Sequence, residues 1–240
     1  MYNGNELRII QSLQKDIEDE LNRIGLLYRF FSRTKSESSI IKKYEKEPNK
    51  YSEDGKKIQD LFGVRIILYF PDDLFIAQKT LEKLFEIESK TVDETTANLF
   101  AATRCNYVFK LPEVLSNDSV LLKKYSYIDT TFEVQFRTIL SEGWHEVEHD
   151  LRYKCKEDWV EHNDLSRALN GIYASLETSD WGIMKLFEDL ALEADHAVGA
   201  FVHGRQCVGL VAGLRAEALD CKVAERNFAL HAAQRDRAVS

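Results

Sequence analysis

Two acidic side chains in this sequence have the chemistry of a magnesium site. Asp60 lies just before an apolar run in residues 58–66 (IQDLFGVRI), and Glu133 lies inside residues 130–138 (TTFEVQFRT). Mg²⁺ usually takes one or two protein carboxylates, and substrate phosphates and water complete its coordination shell. Asp60 and Glu133 are therefore candidate Mg²⁺ ligands if their segments are neighbours in the fold. Solvated acids at strand ends are the alternative.

The segment that carries Glu133 has the alternation of a β-strand with one buried face. Its apolar positions are Phe132, Val134 and Phe136, and the polar positions between and after them are Glu133, Gln135 and Arg137. An ordinary half-exposed strand shows the same pattern. A carboxylate, an amide and a guanidinium on one face also suit a nucleoside triphosphate with its metal.

Residues 33–43 (RTKSESSIIKK) combine basic and hydroxyl side chains. Thr34 and Glu37 have the spacing of a capping box, which predicts that a helix starts near Thr34. On such a helix Lys35, Ser39 and Lys43 share one stripe. A lysine in the first turn opposes the helix dipole, and a bound phosphate would remove that conflict. The alternative is a solvated, lysine-rich surface helix.

Residues 145–149 (HEVEH) match the HExxH pattern, in which two histidines one helical turn apart bind zinc. Charged residues flank the pattern, and the sequence offers no clear third ligand. Helix geometry supports another interpretation, in which His149 lies on a polar face, as a satisfied surface residue or at the lip of an active site. The adjoining buried face would consist of Leu140, Trp144, Val147 and Leu151.

The elements that must position these residues follow from the apolar pattern. We expect a first helix of about twenty residues, a buried strand over residues 62–70, and a helix that Pro71 opens. Residues 105–112 and 130–138 are two further predicted strands, joined by a polar connection, and a helical region runs from about residue 139 to residue 192. No linker or repeat divides the chain, so we expect one domain over residues 1–194.

The composition changes at about residue 195. Residues 197–240 are rich in Ala, Val and Arg and hold a single lysine, Lys222. The tail over residues 195–240 is either a genuine helical appendage or a vector-encoded or out-of-frame sequence.

The composition of the whole chain excludes some classes of protein. The 240 residues are 44% hydrophobic and carry a formal net charge of −8, so we expect one substantial core and no general attraction for nucleic acid. No apolar run reaches the roughly 18 residues of a membrane span, and the four cysteines show no CxxC spacing. We therefore expect a cytoplasmic protein with reduced thiols and no membrane partner; an oligomer is possible.

Four motifs, taken in order, resemble the synthetase domain of the RelA/SpoT alarmone enzymes. They are residues 32–43 (SRTKSESSIIKK), 58–73 (IQDLFGVRIILYFPDD), 132–138 (FEVQFRT) and 144–154 (WHEVEHDLRYK). Residues 166–181 (SRALNGIYASLETSDW) also resemble the helical end of stand-alone members. The resemblance implies an α+β fold, with a nucleotidyltransferase-like mixed β-sheet flanked by helices and a helical C-terminal part.

The same resemblance implies a role for each site residue. The residues that would bind ATP are two arginines that sandwich adenine, Arg33 and Arg65, and three residues that hold phosphates, Lys35, Ser39 and Lys43. Mg²⁺ would be bound by Asp60 and Glu133, and Glu133 would also help to deprotonate the attacking hydroxyl. Supporting positions are Gln135, Arg137 and His149. The implied reaction moves the β,γ-pyrophosphate of ATP to the 3′-hydroxyl of GDP or GTP and makes (p)ppGpp.

The acceptor side departs from the family pattern. Members that make guanosine alarmones carry a Tyr-x-Ser-x-His element before the central strand, whereas residues 102–106 here are ATRCN. Alternative acceptor contacts are Phe100, Arg104, Asn106 and Tyr107. Besides the guanine-nucleotide pyrophosphokinase, three hypotheses stay open: a toxin-like relative that modifies the 3′ end of tRNA, a silent nucleotide-binding module, and an HExxH zinc hydrolase.

Overall fold

A five-stranded mixed β-sheet forms the centre of the protein in a computed structural model, which describes residues 4–47, 50–53, 55–93 and 105–198, with side chains through residue 190. The strands are β1 (Tyr28–Thr34), β2 (Phe62–Leu68), β3 (Ile87–Val92), β4 (Cys105–Lys110) and β5 (Thr131–Thr138). Their spatial order is β1-β2-β5-β4-β3. β2 and β5 are parallel, and the other neighbouring pairs are antiparallel. The predicted mixed sheet is confirmed.

Helices flank the sheet and form the C-terminal part, as predicted. They are α1 (Gly4–Arg23), α2 (Glu37–Lys46), α3 (Asp73–Leu84), α4 (Glu113–Asp118), α5 (Val120–Lys124), α6 (Ile139–Val147) and α7 (Asn163–Val198). A π-helical turn (Glu148–Tyr153) and a 3-10 turn (Lys156–Trp159) lie between α6 and α7. The predicted polar connection before β5 contains the two short helices α4 and α5. Across the described ranges, no helix is both long and apolar enough to cross a bilayer.

The core lies between one face of the sheet and helices α1 and α3. From α1 it takes a stripe at every fourth position, formed by Ile9, Leu13, Ile17 and Leu21, all at most 2% exposed. The apolar face of β5 belongs to the same cluster, as its alternation predicts. Each such side chain contributes about 1.5–3 kcal/mol when fully buried. The opposite face of β5 is therefore the polar one.

Gly25 turns the chain from α1 into β1. Its φ is 76°, a left-handed conformation that glycine adopts without a steric cost. The N–H of the next residue, Leu26, donates to the carbonyl of Leu21 at 3.1 Å and closes the end of the helix. This turn delivers β1 to the edge of the sheet.

The start of α2 differs from the prediction. Thr34 is the last residue of β1 and pairs with Phe62, whereas Ser36 is the N-cap and accepts the N–H of Ser39 at 3.3 Å. The predicted capping box of Thr34 and Glu37 is wrong because strand pairing extends β1 through Thr34. β1 and β3 have no counterpart in the sequence prediction, since both are edge strands whose charged or exposed residues obscure the alternation.

The predicted buried face of α6 is correct at Trp144 but wrong beyond it. Trp144 is 4% exposed, whereas Val147 is 44% and Leu151 is 62% exposed. The chain leaves α-helical geometry at Glu148, and the π-helical turn changes the direction of the side chains that follow. At the other end of the helical part, α7 continues past residue 194 to Val198, and residues 199–240 lie outside the described residues. The two-part division of the chain stays a prediction.

Candidate active site

The polar face of the sheet brings together residues from three adjacent strands. Arg33 of β1 is paired with Gly63 of β2, and Gly63 is also paired with Glu133 of β5. Arg65, two positions along β2, is paired with Gln135 of β5. Directly paired residues point to the same face of a sheet. The predicted site residues of β1, β2 and β5 therefore share one surface.

Gly63 leaves space in the middle of this surface. A Cβ at this position would lie 3.5 Å from Cγ and 3.6 Å from Nε of Arg33, which is ordinary van der Waals contact. A longer side chain would meet the arginine. The glycine thus keeps the sheet open between Arg33 and Glu133.

Asp60, which lies just before β2, is bound by two lysines. Lys35 Nζ donates to Asp60 Oδ2, and Lys43 Nζ lies 3.0 Å from both Oδ1 and Oδ2. The backbone N–H of Lys35 donates to the carbonyl of Leu61 at 2.8 Å, which fixes the β1–α2 connection beside β2. Burial would raise the pKa of Asp60, but the hydrogen bonds and charges of the lysines outweigh it and lower the pKa. The carboxylate therefore stays ionised well below neutral pH.

Contacts with the chain before β5 hold α2 in place. Glu37 Oε1 accepts from Tyr125 Oη at 2.7 Å and from Lys124 Nζ at 2.6 Å. Tyr44 stacks on Tyr127 with ring centroids 4.2 Å apart. Because the helix is fixed along its length, Lys43 on its polar side is held at Asp60.

The proposed phosphate-binding residues do not form a single helical stripe. Lys35 precedes α2, so only Ser39 and Lys43 lie on the helix. Ser39 is exposed in the first turn, and its Oγ lies 2.8 Å from Oγ of the N-cap Ser36. The predicted stripe is wrong because the helix starts later than expected. The two lysines nevertheless meet at one carboxylate, that of Asp60.

A second cluster joins Arg65, Gln135 and Arg137 to α6. Arg65 Nε donates to Gln135 Oε1 at 3.1 Å, and Arg65 Nη1 donates to Glu142 Oε1 at 2.5 Å and to Glu146 Oε1 at 2.6 Å. Arg137 Nη1 donates to the other oxygen of Glu142, Oε2, at 2.8 Å. The sequence predicts Glu142 on the polar face of this helix but assigns it no role in the site. Its only signal in the sequence is an acidic residue in the first turn of a helix that directly follows the polar strand.

Glu133 has a partner from β4. Asn106 Nδ2 donates to Glu133 Oε1 at 3.1 Å across the β4–β5 pair. Asn106 is one of the four alternative acceptor contacts. Tyr107, another of the four, is 3% exposed inside the core, where a substrate ring cannot stack on it. Phe100 and Arg104 lie outside the described residues.

Asp60 lies just before β2, and Glu133 lies on β5, the strand that is paired with β2. Glu133 is paired with Gly63, which is three positions after Asp60. The Cα atoms of Asp60 and Gly63 are therefore at most about 10 Å apart. Asp60 already holds two cationic groups, and Glu133 offers a half-buried carboxylate on the open face. Carboxylates are the protein ligands that Mg²⁺ prefers, with phosphate oxygens and water as its other ligands.

His149 lies in the π-helical turn that follows α6. Its Nδ1 is 2.8 Å from Asp150 Oδ1, and its ring stacks on Tyr153 with centroids 5.8 Å apart. Glu146, the glutamate of the HExxH pattern, binds Arg65 instead of facing a metal. In the part of the chain that the structure describes, no group of three or more His, Cys, Asp or Glu residues is placed to hold a metal ion. The geometry does not support a zinc hydrolase.

Comparison with solved structures finds proteins of the same fold. Small alarmone synthetase 2 from Bacillus subtilis is 21% identical, with 76% of this chain and 92% of that chain covered and a TM-score of 0.53. A GTP pyrophosphokinase family protein from Streptococcus pneumoniae is 18% identical, with 78% and 91% covered and a TM-score of 0.58. Small alarmone synthetase 1 from Bacillus subtilis, bound to its product pppGpp, is 18% identical, with 78% and 94% covered and a TM-score of 0.52.

Sequence comparison identifies the family. No curated protein matches the sequence. The family model described as a region found in RelA / SpoT proteins matches residues 32–158, which is more than half of the 240-residue chain. The matched region contains both lysines at Asp60, the polar faces of β2 and β5, and all of α6. The chain therefore belongs to the RelA/SpoT family.

Proposed function

We propose that this protein, a diphosphotransferase of the RelA/SpoT family, moves the β,γ-pyrophosphate of ATP to the 3′-hydroxyl of GDP or GTP and makes (p)ppGpp. One observation carries the proposal: Asp60, just before β2, binds two lysines, and the polar face of β1, β2 and β5 holds arginines and Glu133. Small alarmone synthetase 1, which shares the fold, is described with the product pppGpp. Family membership supports the same reaction class here.

The donor nucleotide would lie across β1 and β2. Arg33 and Arg65 are candidates to hold adenine, because planar guanidinium groups stack on aromatic rings. Gly63, paired with Arg33 and two positions before Arg65, adds no side chain at the place where the ring would lie. Lys35 and Lys43 would bind the phosphates, together with Ser39 at the N-terminal end of α2, where backbone N–H groups and the helix dipole favour anions.

Asp60 and Glu133 would hold Mg²⁺, which when bound supplies positive charge beside the transferred phosphates. Glu133 would accept the proton of the attacking hydroxyl, while Asn106 donates a hydrogen bond to Oε1 of Glu133. The hydroxyl oxygen then bonds to the β-phosphorus, the bond from the β-phosphorus to the oxygen of the α-phosphate breaks, and AMP leaves with that electron pair. Positioning and electrostatic stabilisation supply most of the rate in such transfers.

A tRNA acceptor is the second candidate. Residues 102–106 (ATRCN) lack the Tyr-x-Ser-x-His element that accompanies guanine acceptors in the resembling enzymes, which favours a changed acceptor. The formal net charge of −8 opposes it, because binding of tRNA depends on cationic contacts to phosphates. We therefore place guanine nucleotides first.

Transfer of label from ATP separates these functions. The purified protein is incubated with γ-labelled ATP and Mg²⁺, and separately with GDP, GTP, ATP or tRNA as acceptor. AMP release with label on GDP or GTP supports the proposal, and label on tRNA supports the second candidate. ATP binding without transfer to any of the four would contradict both and indicate a silent nucleotide-binding module.

A further inference from the structure

Glu142 connects two arginines that lie on different strands. Its Oε1 accepts from Arg65 Nη1 of β2 at 2.5 Å, and its Oε2 accepts from Arg137 Nη1 of β5 at 2.8 Å. The side chains of Glu142 and Arg137 are each 16% exposed, so little water reaches this pair. Charge-assisted hydrogen bonds of this kind are shorter and stronger than neutral ones. One carboxylate of α6 therefore fixes two guanidinium groups on the polar face.

The two arginines need a negative charge between them. Arg65 and Arg137 lie on neighbouring parallel strands, and Arg137 Nη2 reaches the same Gln135 oxygen as Arg65 Nε, at 3.5 Å. Burial and the charge of Arg65 lower the pKa of Arg137, and Glu142 opposes both effects. Without Glu142, two like charges would face each other in a half-buried place.

The contacts of Arg65 also fix its orientation. Its Nε donates to Gln135 and its Nη1 to Glu142 and Glu146, and hydrogen bonds of a guanidinium lie in its plane. The plane of Arg65 is thus held at the strand and at the helix, and its side chain remains 26% exposed. Glu146 is 58% exposed, so solvent screens its contribution.

We infer that Glu142 is a positioning residue for the donor nucleotide: it fixes the guanidinium plane of Arg65 so that one face receives the adenine of ATP. This inference rests on the proposed function. It assigns to α6 a part in donor binding through Arg65, with no contact between Glu142 and the substrate.

The variant Glu142→Gln tests this assignment. Its amide oxygen can still accept a hydrogen bond from one arginine, but its NH₂ group is a donor and cannot bind the second arginine. We expect the KM for ATP to rise about tenfold, with a smaller change in kcat, because positioning of the donor is weakened. Glu142→Asp keeps the charge on a shorter side chain and should give an intermediate KM.

Glu82→Gln is the matched control. The Glu82 side chain is 14% exposed and also lies between two cations, with Lys79 Nζ at 2.5 Å and Lys90 Nζ at 3.8 Å. It belongs to α3, which packs on the core face of the sheet. The same loss of charge should therefore leave the KM for ATP unchanged. Thermal unfolding of all three variants checks that they are folded.

A second readout is independent of nucleotide chemistry. In an NMR spectrum of arginine side chains, the Nε–H of Arg65 should give a sharp, slowly exchanging signal in the wild type, assigned by its loss in Arg65→Lys. Glu142→Gln should broaden that signal, and Glu82→Gln should not. A sharp signal or an unchanged KM in folded Glu142→Gln, with normal wild-type transfer, overturns this inference alone. Absence of ATP binding by the wild type overturns the proposed function and this inference with it.

Discussion

Lys43 places its ammonium group 3.0 Å from both carboxylate oxygens of Asp60, and Lys35 binds the same carboxylate. The acid that we propose as a Mg²⁺ ligand is thus neutralised by two ammonium groups. A divalent ion that approaches Asp60 must compete with both lysines, unless phosphates draw them away. We therefore expect the metal and ATP to bind together more tightly than either binds alone.

The first prediction concerns Lys43→Met. Removal of one competing charge should strengthen the binding of Mn²⁺ in the absence of nucleotide, by about three- to tenfold for a partly exposed pair. The binding of ATP should weaken, since a phosphate ligand is lost. Electron paramagnetic resonance of free Mn²⁺ measures the first effect, and calorimetry measures the second. Lys42→Met, at the exposed neighbouring position of α2, is the control; equal Mn²⁺ affinity in the two variants would contradict the competition.

The second prediction concerns the two acids themselves. Asp60→Asn and Glu133→Gln each keep the shape of the side chain and remove its charge, so each should lower transfer at least about 100-fold when Mg²⁺ loses a ligand. Both side chains are part-exposed and outside the hydrophobic core, so the folded state should persist. AMP release measures the transfer rate, and circular dichroism shows whether each variant is folded. Near-normal turnover in either folded variant shows that its assignment as a metal ligand is wrong.

The third prediction concerns Asn106, which donates to Glu133 Oε1 at 3.1 Å. Asn106→Asp replaces that donor by a carboxylate, and a like charge at this distance disfavours a second negative charge on Glu133. If Glu133 accepts the proton of the hydroxyl, it must be ionised, so the acid limb of the pH–rate profile should move to higher pH. Asn106→Ala removes the donor without adding charge and should lower the rate with a smaller shift. Identical acid limbs in the wild type and Asn106→Asp would exclude Glu133 as the base.

The sequence predicts those helices and strands whose burial is visible as a periodic pattern within the element itself. The every-fourth-residue stripe of α1 and the strict alternation of β5 are local patterns, and both are confirmed by burial. β1 is an edge strand, and its alternation of half-buried and exposed residues is too weak to separate it from a connection. The predicted start of α2 rests on a local capping motif, which strand pairing overrides.

The candidate site shows the same division. Residues of one strand, such as Glu133 and Gln135, are predicted to share a face because the period of a strand is two. The contact of Glu142 with Arg65 spans 77 positions, and no local pattern encodes it. The sequence predicts a regular helix at His149, whereas the structure has a π-helical turn in which His149 contacts Asp150 and Tyr153. Long-range pairing and irregular helical geometry are what the sequence alone does not give.

The fourth prediction concerns the attachment of α7. Thr138 Oγ1, at the N-cap of α6, donates to Asp180 Oδ2 of α7. Burial raises the pKa of Asp180. The hydrogen bond from Thr138 lowers it and the charge of Glu177 raises it, and the net change is upward. A raised pKa means that the folded state holds the proton more tightly than the unfolded state, so this contribution to stability is present at low pH and is lost as the pH rises through the folded-state pKa.

Asp180→Asn removes that dependence while its amide oxygen can still accept from Thr138. We expect the free energy of unfolding of the variant to increase relative to that of the wild type as the pH rises from about 4 to about 7. Urea unfolding at several pH values gives the difference curve, in which the other titrating groups cancel. A difference that does not change with pH would contradict the assignment.

The fifth prediction concerns Phe31, an exposed aromatic residue on the polar face. Phe31 is paired with Arg65 across β1 and β2 and lies two positions before Arg33, so it shares a face with both proposed adenine ligands. It is 55% exposed, and Phe75 on α3 is exposed to the same 55%, which provides a matched control away from the site. An aromatic ring that stacks on a base contributes about 1–3 kcal/mol. We therefore expect Phe31→Ala to weaken ATP binding about tenfold, while Phe75→Ala leaves it unchanged and both variants unfold at the wild-type temperature. Calorimetric titration with ATP measures the affinities. Equal affinities in the two variants would place the adenine away from β1, because a ring between Arg33 and Arg65 would contact Phe31 on the same face.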